Sequence, residues 1–239
     1  IGRRLGDLHL ALASAADRPA FAPLDFSPQY QRSRYQAMRT TTLDVLFALR
    51  QHQATLPLEV RPLAAAVLEK EDEILAAFHR LIDRKLPIVR IRIHGDCHLG
   101  QILHTGRDFV FIDFEGSPTQ SLGERRIKRT PLVDVAGILA SFATGAISTL
   151  YGLSTGRGRP QGMIREEDRQ RLGLWGRQWF RWVAASLLPA YATTVSGMPF
   201  FPPERADQRL LLTTLLLDIW MNELDGELQQ RPLWASIPL

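Results

Sequence analysis

Between two blocks of helical spacing the chain switches to a period of two over "LPIVRIRIHG", Leu86 to Gly95. Alternation of that kind reads as a strand, here closing at Gly95. "QILHT", the turn "GRD" and "FVFIDF" then read as a hairpin whose second strand carries an acidic pair. Around this stretch the apolar residues recur at helical spacing. They predict a first helix from Leu5 to Ala16, long helices over about Pro28 to Gln53 and Leu58 to Arg84, and one over "LVDVAGILASFATGAISTL" entered at Pro131. Two more run from about Glu166 to Val195 and from Glu204 to Gln230. The prolines of "DRPAFAPLDFSP" impose an extended connector, and "GLSTGRGRPQGMIREED" reads as a mobile surface loop. The predicted fold is mainly α with a small β-hairpin.

The stretch from Ile91 to Gly116 sets histidine, aspartate, glutamine and glutamate among apolar strand residues. Burying such groups is costly unless partners satisfy them, so the segment either binds something or binds itself. Residues two apart on a strand project to one side, which predicts that Asp113 and Glu115 share a face and can share a cation. Asp96 and Gln101 lie on the preceding loop, able to aim at the same point. Two or three hard oxygen ligands with room for water and phosphate oxygens suit Mg²⁺. A carboxylate beside the metal can accept the proton of an attacking hydroxyl.

Composition narrows the alternatives. Hydrophobic residues at 45% and charged residues at 23% are ordinary for a globular protein, so disorder is not the default expectation. A net charge of +4 fits an anionic substrate and is too weak to argue for nucleic acid. The single cysteine, Cys97, excludes an intrachain disulfide and a cysteine-based metal cluster. No stretch approaches the roughly 20 apolar residues of a membrane span, so no membrane partner is expected. The start lacks a methionine and a signal-peptide pattern and reads as a helix entered partway, hence a piece of something longer in the cytoplasm.

Other polar residues carry their own expectations. His94 is read as orienting the loop, and His98 stays open between loop packing and a site role. Asp134, at a helix start, either answers the helix dipole or braces the loop. His9 is read as packing or capping within its own helix. "ERRIKR" reads as a solvated loop, and Trp175, Trp179, Trp182 and Trp220 as core. The one-residue spacing of His94, Asp96 and His98 also leaves open a metal-dependent hydrolase.

"HGDCHLGQ" followed by "FIDFEG" resembles the catalytic loop and metal-binding strand of the aminoglycoside phosphotransferase-like kinases, relatives of the protein kinases. The resemblance implies Asp96 as catalytic base, Gln101 and Asp113 as magnesium ligands, and Glu115 as a second-metal or outer ligand, with ATP as co-substrate. "DLHLALA", "PAFAPLDFSPQYQRSRYQAMR", "RIHGDCHLGQIL", "FIDFEGSP", "ERRIKRTPLVDVAGILASF" and "ELQQRPLWASIPL" are similar to phrases of the maltokinases, often fused behind trehalose synthase. This implies phosphorylation of maltose to maltose 1-phosphate, and an acceptor pocket fed by the last helix. There Glu223, Glu227 and Arg231 fall four apart on one face. Asn222, Gly226 and Cys97 stand where that family carries tyrosines, which keeps a non-catalytic sugar- or partner-binding module in view. None of the three lysines, Lys70, Lys85 and Lys128, sits in a nucleotide-gripping strand context. The whole chain, residues 1–239, is therefore expected to be the C-terminal lobe of a kinase-like fold, with the N-terminal nucleotide lobe outside it.

Overall fold

A computed structural model describes residues 1–58, 60–150, 166–230 and 235. Most of the expected mobile loop after Leu150, and Arg231, lie outside the described residues. Helix α1 (Gly2–Ser14) buries Leu5 and His9 along α7 (Glu166–Thr194). The extended connector follows, and two of its residues form β1 (Leu24–Asp25). Ser27 then caps α2 (Pro28–His52), accepting a hydrogen bond from the Tyr30 N–H at 3.2 Å, with Pro28 in the first turn where a missing N–H costs nothing.

The single helix expected from residue 58 to 84 is divided into α3 (Arg61–Glu69), α4 (Glu71–His79) and a 3₁₀ turn (Arg80–Ile82). The break is at Lys70, whose φ of −100° and ψ of 13° turn its N–H back onto the Val67 carbonyl at 3.0 Å. Glu71, Asp72 and Glu73 restart the helix at the positive end of its dipole. Apolar spacing did not register this break, because Ala64 and Phe78 still face the interior on either side of it.

The strand expected to reach Gly95 is shorter. Strand β2 (Val89–Arg90) pairs antiparallel with β1, and Ile91 bridges Arg129. Beyond that, the amides of His94 and Gly95 are taken by a side chain rather than by another strand. Strands β3 (Ile102–His104) and β4 (Phe109–Phe111) form the expected hairpin, in the register Ile102–Phe111, Leu103–Val110 and His104–Phe109.

After a short α5 (Leu122–Arg125), α6 (Leu132–Leu150) runs between α7 and α8 (Arg205–Gln230). By length and a mean hydropathy of 1.5, α6 is apolar enough to cross a membrane, which the sequence reading did not anticipate. Its first half is instead core: Val135, Ile138 and Leu139 are buried with Leu5, Tyr191 and Leu211. A second apolar cluster joins Val45 and Leu49 of α2 to Met221 and Leu224 of α8.

Two expectations about the surface are corrected. Trp175, Trp179 and Trp182 are 62%, 43% and 58% exposed, so their spacing marks an outer face of α7; Trp220 is half-buried. Within "ERRIKR", Lys128 is buried and donates its ammonium to the carbonyls of Pro19 (2.7 Å) and Ala22, fastening the run to the first connector.

Gln31, 2% exposed, ties α2 to the turn that leads into β2. Its amide donates to the carbonyls of Leu81 (2.7 Å) and Arg84 (2.8 Å), and its oxygen accepts from the Leu86 N–H at 3.4 Å. Gln31→Leu strands these groups and is expected to cost about 2–3 kcal/mol in urea unfolding. An unchanged midpoint would mean that water takes over all three.

Candidate active site

The loop after β2 is held from beneath by Asp134, a buried carboxylate in the first turn of α6. One oxygen accepts from the Gly95 N–H at 2.9 Å, and the other from the His94 N–H at 2.8 Å and from His9 Nε2 at 3.0 Å. His9 Nδ1 lies 2.9 Å from the Tyr191 hydroxyl. With Nε2 donating to the carboxylate, a neutral His9 leaves Nδ1 to accept from Tyr191. Tyr191 ionises far less readily than an ordinary phenol, through burial first and the Asp134 charge second. His9 therefore bonds outward to α6 and α7 rather than within its own helix. The available signal was a histidine on the stripe that also carries Leu5, a polar group that must find partners when buried.

α6 also meets the loop by backbone contact. A Cβ on Gly137 would stand 2.4 Å from the Cys97 carbonyl oxygen, so only glycine permits this approach. The Cys97 thiol above it is buried, and burial, then Asp134 and Asp96, push its ionisation out of reach. Ser141, one helical turn further, accepts the Leu99 N–H at 3.1 Å.

His94 links the two halves of the site. Its Nε2 donates to the Ile112 carbonyl at 2.8 Å and its Nδ1 faces the Asp96 N–H at 3.4 Å. The residue before Asp113 and the backbone of Asp96 are thus fastened to one ring. Gly95 and Gly116 abut, at 3.9 Å between a built Cβ and the opposing Cα. Gln101 Nε2 lies 3.0 Å from Asp113 Oδ2. His98 Nδ1 accepts the Gly100 N–H at 3.1 Å, so the neutral ring carries its proton on Nε2, 3.8 Å from Asp96 Oδ2. Asp96 itself is partly open, its side chain 27% exposed.

The acidic pair is not on the strand. Strand β4 ends at Phe111, and Asp113 takes φ of 63°, the left-handed region that aspartate tolerates better than most residues. Simple alternation therefore cannot place Asp113 and Glu115; both side chains are exposed in the turn beyond the hairpin. Arg125 closes this segment on itself, donating to the carbonyls of Gln120 (2.8 Å) and Pro118 (3.1 Å) and lying against Gly116.

Oxygen ligands in Gln101, Asp113 and Glu115 match the hard-donor set of Mg²⁺, which keeps water and needs few protein ligands. Among the described residues no three His, Cys, Asp or Glu side chains form a metal-binding group. His94 has both ring nitrogens engaged by the backbone and His98 one, so the His94–Asp96–His98 spacing does not produce a histidine-rich metal centre. On α8, Glu223 and Glu227 lie one turn apart, and burial, then the Glu227 charge, push the Glu223 carboxyl up to about 7. No hydrogen bond or ion pair joins Glu223 to the loop pair among the described residues.

No protein-family model matches the chain. It is 26% identical over 148 residues to a glucosamine kinase of Streptacidiphilus jiangxiensis, covering 62% of this chain and 30% of that protein. It is 46% identical over 55 residues to a glucosamine kinase of Mycolicibacterium smegmatis, 23% of this chain and 14% of that protein. Among solved structures, a glucosamine kinase aligns over 99% of this chain and 50% of its own at TM-score 0.71 and 21% identity. A glucosamine kinase in complex with glucosamine, ADP and inorganic phosphate aligns over 99% of this chain and 49% of its own, also at 0.71. The chain has the fold of that half, and spans about half the length of these solved chains and less of the curated relatives.

Two outcomes follow from this geometry. Gly137→Ala forces α6 and the Cys97 backbone apart; a cost of about 1–3 kcal/mol is expected, with faster amide exchange at His94 and Gly95. Exchange unchanged at both would show that the loop does not depend on this contact. The Glu223 carboxyl is raised in the folded state, so its stabilising share is whole below about pH 4.5 and is lost as pH rises through about 7. Glu223→Gln should flatten that decline in urea unfolding and raise stability near pH 8 (roughly one unit above the folded pKa). A wild-type and variant decline in parallel would assign it elsewhere.

Proposed function

We propose that the chain is the catalytic, acceptor-binding lobe of an ATP-dependent sugar kinase. The observation that carries the reading is the meeting of two loops: Gln101 Nε2 lies 3.0 Å from Asp113 Oδ2, and the His94 ring ties the backbone of a partly open Asp96 to that of Ile112. The likeness in fold and partial sequence to glucosamine kinases supports the same class. The nucleotide-gripping lobe then lies in polypeptide outside this chain, and ATP as donor puts the reaction in the cytoplasm.

Asp96 is the base. It aligns a sugar hydroxyl and takes its proton as that oxygen bonds to the γ-phosphorus and the bond from phosphorus to the β,γ-bridging oxygen breaks, leaving ADP. Asp134, through the His94 and Gly95 amides, fixes the loop that carries Asp96, and His98 Nε2 stands 3.8 Å from the Asp96 carboxylate, outside direct hydrogen-bond reach. Gln101 and Asp113, with Glu115 further out, would hold Mg²⁺, whose charge when bound neutralises the phosphates. Turning the Gln101 amide over presents its oxygen to the site in place of its nitrogen.

Glu223 and Glu227, with Arg231, supply the acceptor pocket. Carboxylates accept hydrogen bonds from sugar hydroxyls and pair with an ammonium, which favours glucosamine as acceptor. Maltose is the second reading, favoured by the phrases "RIHGDCHLGQIL" and "ERRIKRTPLVDVAGILASF".

The test is ATP turnover by the polypeptide that carries this chain, with glucosamine and with maltose. Asp96→Asn should lower kcat by about 10²–10⁴ with little change in nucleotide affinity. Unchanged turnover removes Asp96 as base. Sugar binding without turnover in the wild type would point to a non-catalytic module.

A further inference from the structure

The last helix carries an aromatic side chain that the core leaves unused. Trp220 of α8 is half-buried, yet among the described residues it is packed on neither apolar cluster. Its neighbours are engaged: Leu216, Leu217 and Ile219 pack on the first cluster, Met221 belongs to the second, and Asp218 pairs with Arg34. An indole placed beside a core rather than in it has a flat apolar face to offer a ligand.

The helix turns that indole to the same side as two carboxylates. With about 3.6 residues per turn, Trp220, Glu223 and Glu227 fall within an arc of about 60°. Glu223 is half-buried and makes no hydrogen bond or ion pair among the described residues, while burial, then the Glu227 charge, raises its carboxyl. The surface next to it is bare: a Cβ built on Gly226 meets no described atom within 4 Å. A half-buried carboxyl without partners is costly, and space beside it lets a ligand supply them.

A pyranose ring answers all three features at once. One of its faces is made of C–H bonds, which lie flat on an electron-rich indole. Its rim carries hydroxyl donors, which half-buried carboxylates accept. A metal ion would leave the indole unused, and a hydrocarbon would leave the carboxylates unserved.

The geometry points to Trp220 as a specificity-determining residue of the acceptor site, its indole the floor on which a pyranose lies while Glu223 and Glu227 take hydrogen bonds from the ring's edge over Gly226. This rests on the acceptor role proposed above for those two carboxylates. It adds the substrate class: a sugar held by its flat ring face, for which an open-chain polyol is a poor substitute.

Calorimetry of the polypeptide that carries this chain, with no nucleotide present, tests this with glucosamine, maltose and glucitol. At least one of the two pyranoses should bind, and glucitol, which has the hydroxyls without the ring, should bind at least about tenfold more weakly. Trp220→Leu should weaken the pyranose by about tenfold, and Trp220→Phe, which keeps a flat face, by about threefold at most, with affinity for ATP unmoved in both. Trp182→Leu, on the exposed face of α7, should leave binding unchanged. No pyranose binding up to about 20 mM, glucitol binding as tightly, Trp220→Leu within about twofold of wild type, or Trp220→Phe as weak as Trp220→Leu overturns the inference. Should Trp220→Leu fail to fold, indole emission decides: the pyranose changes the emission of Trp182→Phe and not that of Trp220→Phe, and a change in both or in neither overturns it. Sugar binding that needs Trp220 without phosphoryl transfer removes the kinase reading and keeps this inference; transfer that ignores Trp220 does the reverse.

Discussion

The carboxylate of Asp134 accepts three hydrogen bonds where water does not reach, and the placement of the loop bearing Asp96 depends on it. Two of its donors are backbone amides that would otherwise continue strand pairing. By taking them, one side chain holds the loop that follows β2 against the start of α6. The third donor, His9, belongs to α1 and is itself held by Tyr191 of α7. Loop, α1, α6 and α7 are thereby joined through one buried polar chain. Its links through His9, Tyr191 and the His94 amide are costly to break, because the partners left behind are buried and unsatisfied.

The same region is rigid below and open above. Under the loop, Gly137 brings α6 into contact with the Cys97 carbonyl, and Ser141 accepts the next free amide. Above it, Asp96, His98, Gln101, Asp113 and Glu115 retain exposure. His94 fixes the spacing between the two loops by bonding to backbone on both. Binding energy spent on a ligand there is not spent on ordering the loops, as the proposed reaction would require of its scaffold.

Much of this was legible in the residues, for identifiable reasons. The starts of α2, α6 and α8 came within a residue or two of expectation because Pro28, Pro131 and the stretch "FFPPE" mark entries that few other conformations tolerate. The hairpin followed from its alternation and its "GRD" turn. The interruption at Lys70 was not legible, since both pieces keep one apolar face. Nor was the exposure of Trp175, Trp179 and Trp182: spacing states that side chains share a face of α7, not whether anything covers that face. The left-handed Asp113 escaped because alternation assumes that the strand continues.

The amino-acid sequence by itself determined the helical body, the hairpin and the local order of Asp96, Gln101 and Asp113, because these rest on spacing and turn chemistry within a few residues. Only the tertiary structure decided which polar groups meet: His9 with Asp134, 125 residues away, Tyr191 with His9, 182 away, and Arg129 beside Arg34. A buried polar side chain announces that it needs a partner, but its identity depends on which helices cross there. That crossing is set by the summed fit of many apolar side chains, and no local pattern records it.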